Sequence, residues 1–195
     1  MAAPTARPAA NRALKMPDHF ETLGLPRRFA VDLPDLERRY RELSRELHPD
    51  KFATAPAAER RVALERSTAL NDAYRTLKEP LKRAAYFLEL YGVRLDGEGP
   101  DGRSPIELSP DFLGSFLELR EAFDEETSTP ESREQMRERV DGERTDRADA
   151  LLKELSSIPE QPTKEDLLPL ARQLLELRYY DRFLAELEED EETDR

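Results

Sequence analysis

The sequence predicts an all-α protein built in two helical parts. Three observations carry that reading. Sustained apolar–polar alternation is missing, and no Asn-Gly or Asp-Gly pair stands between β-branched runs, so neither strands nor hairpins are signalled. Apolar residues recur instead at three- and four-residue spacing. Several segments open with a capping side chain followed by Pro and an acid, as in Ser109-Pro110-Asp111 and Thr129-Pro130-Glu131.

Composition narrows the chemistry before any motif is read. At 195 residues the chain holds one or two domains. Charged residues make up 38% and hydrophobic residues 37%, so the expected core is modest. No apolar run approaches the ~20 residues of a membrane helix, and no membrane partner is expected. With no Cys and only His19 and His48, thiolate metal sites, disulfides and cysteine nucleophiles drop out, and neither a bound metal nor a cofactor is expected. The seven Gly form no phosphate-binding loop. A net charge of −12 argues against nucleic acid as a partner. That charge is uneven. Residues 1–94 carry 18 basic against 13 acidic side chains, while residues 95–195 carry 13 against 30, which suggests two halves with different partners.

Residues 1–17 hold Arg7, Arg12 and Lys15 without an acid, a faint echo of a mitochondrial transit peptide. Pro4, Pro8 and Pro17 spoil an amphipathic helix there, so a disordered tail in a bacterial-type cytoplasmic protein is the expectation, with the mitochondrial matrix as the alternative. A short first helix is expected from about Asp18 to Leu25. Asp32, Pro34 and Asp35 open a second, running to about Leu47, where Pro49 stops it. A third runs from about Pro56 to Lys78, and a fourth from about Pro80 to Tyr91 with Gly92 as a left-handed cap. The Gly-rich acidic stretch within 95–108 reads as a linker. Beyond it, helices are expected from Pro110 to about Glu125 and from Pro130 to about Leu155. The last opens at the Thr163/Asp166 capping box and runs to about Glu188, with Pro169 able to displace its start by a turn. Residues 189–195 read as a frayed acidic tail.

On the second helix Leu36, Tyr40, Leu43 and Leu47 share a sector of about 60°. Arg38, Arg41 and Arg45 lie opposite, so the helix can pack inward while presenting three guanidinium groups outward. Taken alone this is also how a plain solvated face looks. The helix leads into His48-Pro49-Asp50-Lys51-Phe52, and the helix after it carries Ala63, Leu70, Tyr74 and Leu77 on one face. An acid–base pair of His48 and Asp50 is conceivable, but no third polar residue orients it and no pocket is implied. On the helix from Pro110, Phe112, Phe116, Leu119 and Phe123 form one stripe. Leu113 and Leu117 fall about 100° and 140° away, near Glu118 and Glu121. Geometry leaves these two leucines as either a widened core stripe or an exposed apolar patch.

Two antiparallel helices joined through His48-Pro49-Asp50, with Phe20, Leu23 and Gly24-Leu25 upstream, resemble the J domain. The resemblance extends to the HscB family of J-type co-chaperones. It is carried by Asp50-Lys51-Phe52, Leu70-Asn71-Asp72-Ala73-Tyr74, Leu77-Lys78-Glu79-Pro80-Leu81, Arg83-Ala84, Phe112-Leu113, Leu117-Glu118-Leu119-Arg120-Glu121 and Leu177-Arg178-Tyr179-Tyr180-Asp181. It covers about residues 18–188 and is weakest over 126–165. One departure is Gly114, where some members carry a large apolar residue. The chain also lacks the Cys-rich N-terminal extension of some eukaryotic members.

The resemblance implies a J domain over 18–94 and a C-terminal three-helix bundle over 109–188, docked through the last J-domain helix. It implies a protein that catalyses nothing itself. Its partners would be a DnaK/HscA-type ATPase chaperone, met by His48, Pro49, Asp50, Lys51, Arg38, Arg41 and Arg45, and an IscU-type iron–sulfur scaffold protein. The scaffold would be met by Leu113, Leu117, Glu118 and Glu121, with Arg178 and Tyr179 on the last helix. A J-protein for another client, a plain helical adaptor and a small acid–base enzyme are the alternatives.

Overall fold

The computed structural model describes residues 17–96, 106–126 and 129–193. The expected N-terminal tail, apart from Pro17, and positions 97–105 of the expected linker lie outside them. Every regular element among the described residues is helical: α1 (His19–Thr22), α2 (Leu33–Glu46), a 3-10 turn (Pro49–Phe52), α3 (Ala57–Lys78), α4 (Pro80–Leu90), α5 (Pro110–Glu126), α6 (Pro130–Ser156) and α7 (Lys164–Thr193).

Two compact units make up the chain. The first lies within Met1–Arg27 and Leu33–Arg75, the second within Arg28–Asp32 and Thr76–Arg195. In the first, α1 is short but closed at both ends. The Asp18 carboxylate accepts from the Glu21 N–H at 2.8 Å while Glu21 reaches back to the Asp18 N–H at 3.0 Å, a reciprocal capping box. After it Gly24 turns at φ +64°, a left-handed conformation that disfavours any side chain, and a Cβ there would also press on Arg39. Phe20, Leu23, Leu36, Ala63, Leu70 and Ala73 are the buried apolar residues of this unit. Each fully buried Leu or Phe contributes about 1.5–3 kcal/mol relative to exposure. Across the hairpin the Tyr40 and Tyr74 rings stack at 4.0 Å, and the Tyr40 hydroxyl donates to Asn71 Oδ1 at 2.9 Å.

In the second unit α4 packs against α6 and α7. Its end has the expected form. Gly92 at φ +75° donates to the Glu89 carbonyl and Val93 to the Leu88 carbonyl, and Val93 and Leu88 are both buried, a Schellman close with its apolar contact. The helices α5, α6 and α7 form the expected three-helix bundle. Phe112, Phe116 and Leu119 of α5 join Met136 and Val140 of α6 and Tyr180, Phe183 and Leu187 of α7 in one cluster. Ring pairs such as Phe116–Phe183 meet edge to face at 5.8 Å, a geometry that adds about 0.5–1.5 kcal/mol beyond area burial.

By contact α4 groups with the second compact unit, where its apolar face (Ala84, Phe87, Leu88) is covered. Leu95 and Ile106, at the margins of the expected linker, are buried. Two expectations change. Pro169 does not displace the start of α7. The Thr163 and Asp166 side chains close the capping box at 2.8 and 3.2 Å, and the carbonyl that Pro169 leaves without its helical donor belongs to an exposed residue, Glu165. Finally, α7 continues to Thr193 instead of ending at Glu188. No Gly or Pro stops it, Glu is a good helix former, and a nucleated helix gains a hydrogen bond with each added residue.

Candidate functional site

The sequence reads His48-Pro49-Asp50 as a loop, but it folds as a single 3-10 turn. Pro49 supplies the fixed φ at the first position, and the His48 Nδ1 accepts the Asp50 backbone N–H at 3.3 Å. That N–H can only donate, so Nδ1 is the bare nitrogen and the hydrogen of the neutral ring sits on Nε2. The Lys51 N–H returns to the His48 carbonyl at 3.0 Å. The ring is therefore oriented from within the turn, yet the His48 side chain stays 56% exposed and Asp50 90%. Nothing desolvates this pair, as the acid–base reading would require.

Arg38, Arg41 and Arg45 are exposed, as the helical phase of α2 predicts, and so is Lys51 in the 3-10 turn. They are not equally available. Arg38 is ion-paired to Asp35 and, at 3.1 Å, to Glu42. Hydrogen bonds from Arg39, then Arg38, hold the Asp35 carboxyl below its ordinary range. Arg41 stands 3.7 Å from Glu37, a loose exposed pair worth little. Arg45, near the end of α2, and Lys51, within the turn, have no carboxylate within ion-pair distance among the described residues. Of these four cations, the two nearest His48 are the ones left without an acid partner.

In the second unit the phase argument for α5 holds. Phe112, Phe116 and Leu119 are buried and Phe123 is half-buried, whereas Leu113 is 41% and Leu117 60% exposed. The choice between a widened core stripe and an exposed patch falls to the patch. Glu118 and Glu121 are exposed on the same helix. Gly114 is exposed too, and a Cβ built there meets nothing within 4 Å. Gly114→Ala is therefore expected to raise stability by about 0.5–1 kcal/mol, the usual gain from replacing Gly inside a helix, and thermal melting would read it. An unchanged or lower melting temperature would mean that this position is sterically restricted after all.

Arg178 and Tyr179 are placed differently from Leu113 and Leu117. Arg178 is half-buried and pairs with Asp96 at 2.5 Å. Tyr179 is half-buried with its ring edge-on to Phe112 and Phe116, so much of its surface is spent on packing. Three features escaped sequence reasoning. Arg83 is buried, donates to the Leu77 carbonyl at 2.6 Å at the end of α3, and lies 4.9 Å over the Phe29 ring. Burial pulls its guanidinium below the ordinary value. Nothing in the local pattern marks an Arg as buried, since Phe29, whose ring it lies against, stands far off in the chain. The second feature is an apolar cleft of about 320 Å³ beside the His48 turn, lined by Leu47, Phe52, Ala58, Val62 and Ala63 with Glu59 and Arg66 at its margins. Val62 lies off the stripe of α3, which is the signal that could have found it. The third is Leu64, a large apolar residue left 59% exposed on α3. Among the described residues no cluster of His, Asp and Glu could hold a metal ion, and no helix is long and apolar enough to cross a membrane.

Known proteins share both halves. Residues 18–86 match the DnaJ domain and residues 108–188 the HSCB C-terminal oligomerisation domain. A co-chaperone protein HscB homolog of Bordetella petrii is 45% identical over 108 residues, 55% of this chain and 61% of that protein. Its counterpart in Bordetella pertussis is 43% identical over 113 residues, 58% of this chain and 64% of that protein. The matched stretch thus spans less than two thirds of these relatives. Among solved structures, chaperone HscB from Vibrio cholerae superposes with a TM-score of 0.65 at 29% identity, covering 91% of this chain and 99% of that one. Human co-chaperone protein HscB gives 0.70 at 25% identity, covering 90% and 83%. With the DnaJ domain over 18–86, the HSCB C-terminal domain over 108–188, and HscB relatives and solved structures alike in sequence and fold, the chain belongs to the HscB family.

Proposed function

We propose that this chain is a J-type co-chaperone of iron–sulfur protein assembly. It carries an IscU-type scaffold protein to a DnaK/HscA-type chaperone in a bacterial-type cytoplasm and stimulates that chaperone's ATPase. The observation that carries this reading is the exposed, internally capped His48 turn, with free cations beside it, in a protein whose other compact unit bears a separate apolar patch. Two surfaces of different chemistry suit two partners. Arg45 and Lys51 steer the turn toward an acidic chaperone surface. His48, Pro49 and Asp50 then bind the hydrolysis-competent state more tightly than the resting one, the only way a contact can shift such an equilibrium. Leu113 and Leu117, rimmed by Glu118 and Glu121, hold the scaffold. The chain itself turns over no substrate.

The test is single-turnover ATP hydrolysis by the chaperone, alone and with this protein, with and without the scaffold. The expected result is stimulation by the co-chaperone that rises further when the scaffold is present. No stimulation would leave a plain helical adaptor. Stimulation that ignores the scaffold would leave a J-protein for another client.

The unequal pairing on α2 leads to a further expected result. Arg45→Glu should weaken chaperone binding and flatten its salt dependence more than Arg41→Glu, because Arg45 has no carboxylate beside it and stands nearest the turn. Titrations at several ionic strengths would show this. Equal losses of chaperone and scaffold binding would point to unfolding.

A further inference from the structure

Within the first unit the segment from His48 to Ala55 is held by a run of short-range hydrogen bonds. Lys51 N–H donates to the His48 carbonyl at 3.0 Å, Ala53 N–H to the Asp50 carbonyl at 3.3 Å, and Ala55 N–H to the Phe52 carbonyl at 3.0 Å. Each bond orders only a few neighbouring residues. The run ends on Ala55, and its carbonyl accepts Nη1 of Arg60 at 2.9 Å. Arg60 stands in the first turn of α3, where its own N–H bonds the Pro56 carbonyl at 3.1 Å. Its guanidinium has no carboxylate within ion-pair distance among the described residues, whereas Arg61 faces Glu65 at 3.6 Å. No acid competes with Ala55 for it.

We infer that Arg60 is a positioning residue for the His48–Asp50 turn: by holding the Ala55 carbonyl it fastens the end of the hydrogen-bonded run to the 22-residue helix α3 and keeps the turn in one orientation. This rests on the reading of that turn as the chaperone contact. A turn that is ordered only part of the time binds with an affinity reduced by the fraction that is competent. The maximal effect, reached once every molecule is bound, is retained.

The experiment uses the full chain with Arg60→Ala and, as a control, Arg61→Ala. Both remove one positive charge from an exposed position of α3, and Ala, the best helix former, keeps the helix. In Arg60→Ala the backbone NMR order parameters of Lys51, Ala53 and Ala55 should fall while those of α2 and α3 hold. The concentration for half-maximal ATPase stimulation should rise about three- to tenfold, with maximal stimulation and salt dependence kept. Arg61→Ala should match wild type in all of these. Unchanged order parameters would overturn the inference. So would a loss of order with no change in half-maximal concentration, or an equal rise in Arg61→Ala, which would make the effect one of charge. Retained stimulation in His48→Gln would instead overturn the chaperone reading, whatever the order parameters show.

Discussion

Replacing His48 with Gln is expected to abolish ATPase stimulation at saturating co-chaperone while the melting temperature barely moves. The side chain is more than half exposed and belongs to no core cluster. Its structural contribution is the cap it offers to the Asp50 N–H, and the Gln side chain carries an oxygen that can accept the same hydrogen. Loss of that cap would cost about 1 kcal/mol. For a chain of this size that is about 2–4 °C of melting temperature. What Gln cannot supply is the imidazole edge that the cap turns outward, a planar ring with its Nε2–H held in a fixed direction. Stimulation by the variant equal to wild type would show that the turn is not where the chaperone is engaged.

The paired change Leu113→Ala and Leu117→Ala is expected to weaken scaffold binding at least about 5- to 30-fold, equivalent to ~1–2 kcal/mol, with little loss of stability. Both side chains already face water to a large extent, so truncation leaves no cavity. Their neighbours on the same helix set the scale. Phe116 is buried among Tyr179, Tyr180 and Phe183, and Phe116→Ala would cost about 3–5 kcal/mol of fold stability. Calorimetric titration with the scaffold and thermal melting separate the two quantities. Full binding with a large drop in melting temperature would assign the leucines to the core. Full binding with an unchanged melt would move the scaffold site elsewhere, with Arg178 and Tyr179 next to be tested.

The helices and their facing were legible in the residues. Proline and capping side chains mark the starts of α5, α6 and α7, Gly92 marks the close of α4, and the phase of α2 and α5 separates Leu36 and Phe116 from Arg45 and Leu117. These are short-range matters, set by φ preferences, local hydrogen bonds and a 3.6-residue period, all of which act within a few residues. The interruption of the helical hairpin at His48-Pro49-Asp50 was legible too, because Pro49 cannot continue α2.

Other properties depended on residues far apart in the chain. That α4 belongs with α6 and α7, that Arg83 is buried beneath Phe29, and that Leu95 and Ile106 are buried at the linker margins follow from packing between distant segments. Helical phase shows that a face is apolar but not which surface covers it. The pairs of Arg38 are local, with Asp35 three residues before it and Glu42 four after, but that Glu42 closes on Arg38 and not on Arg45, three residues beyond it, is decided by side-chain placement. The sequence by itself determined where the helices lie and which way they face. The tertiary structure decided which faces are spent on the core, because burial depends on contacts between distant segments that no local pattern encodes.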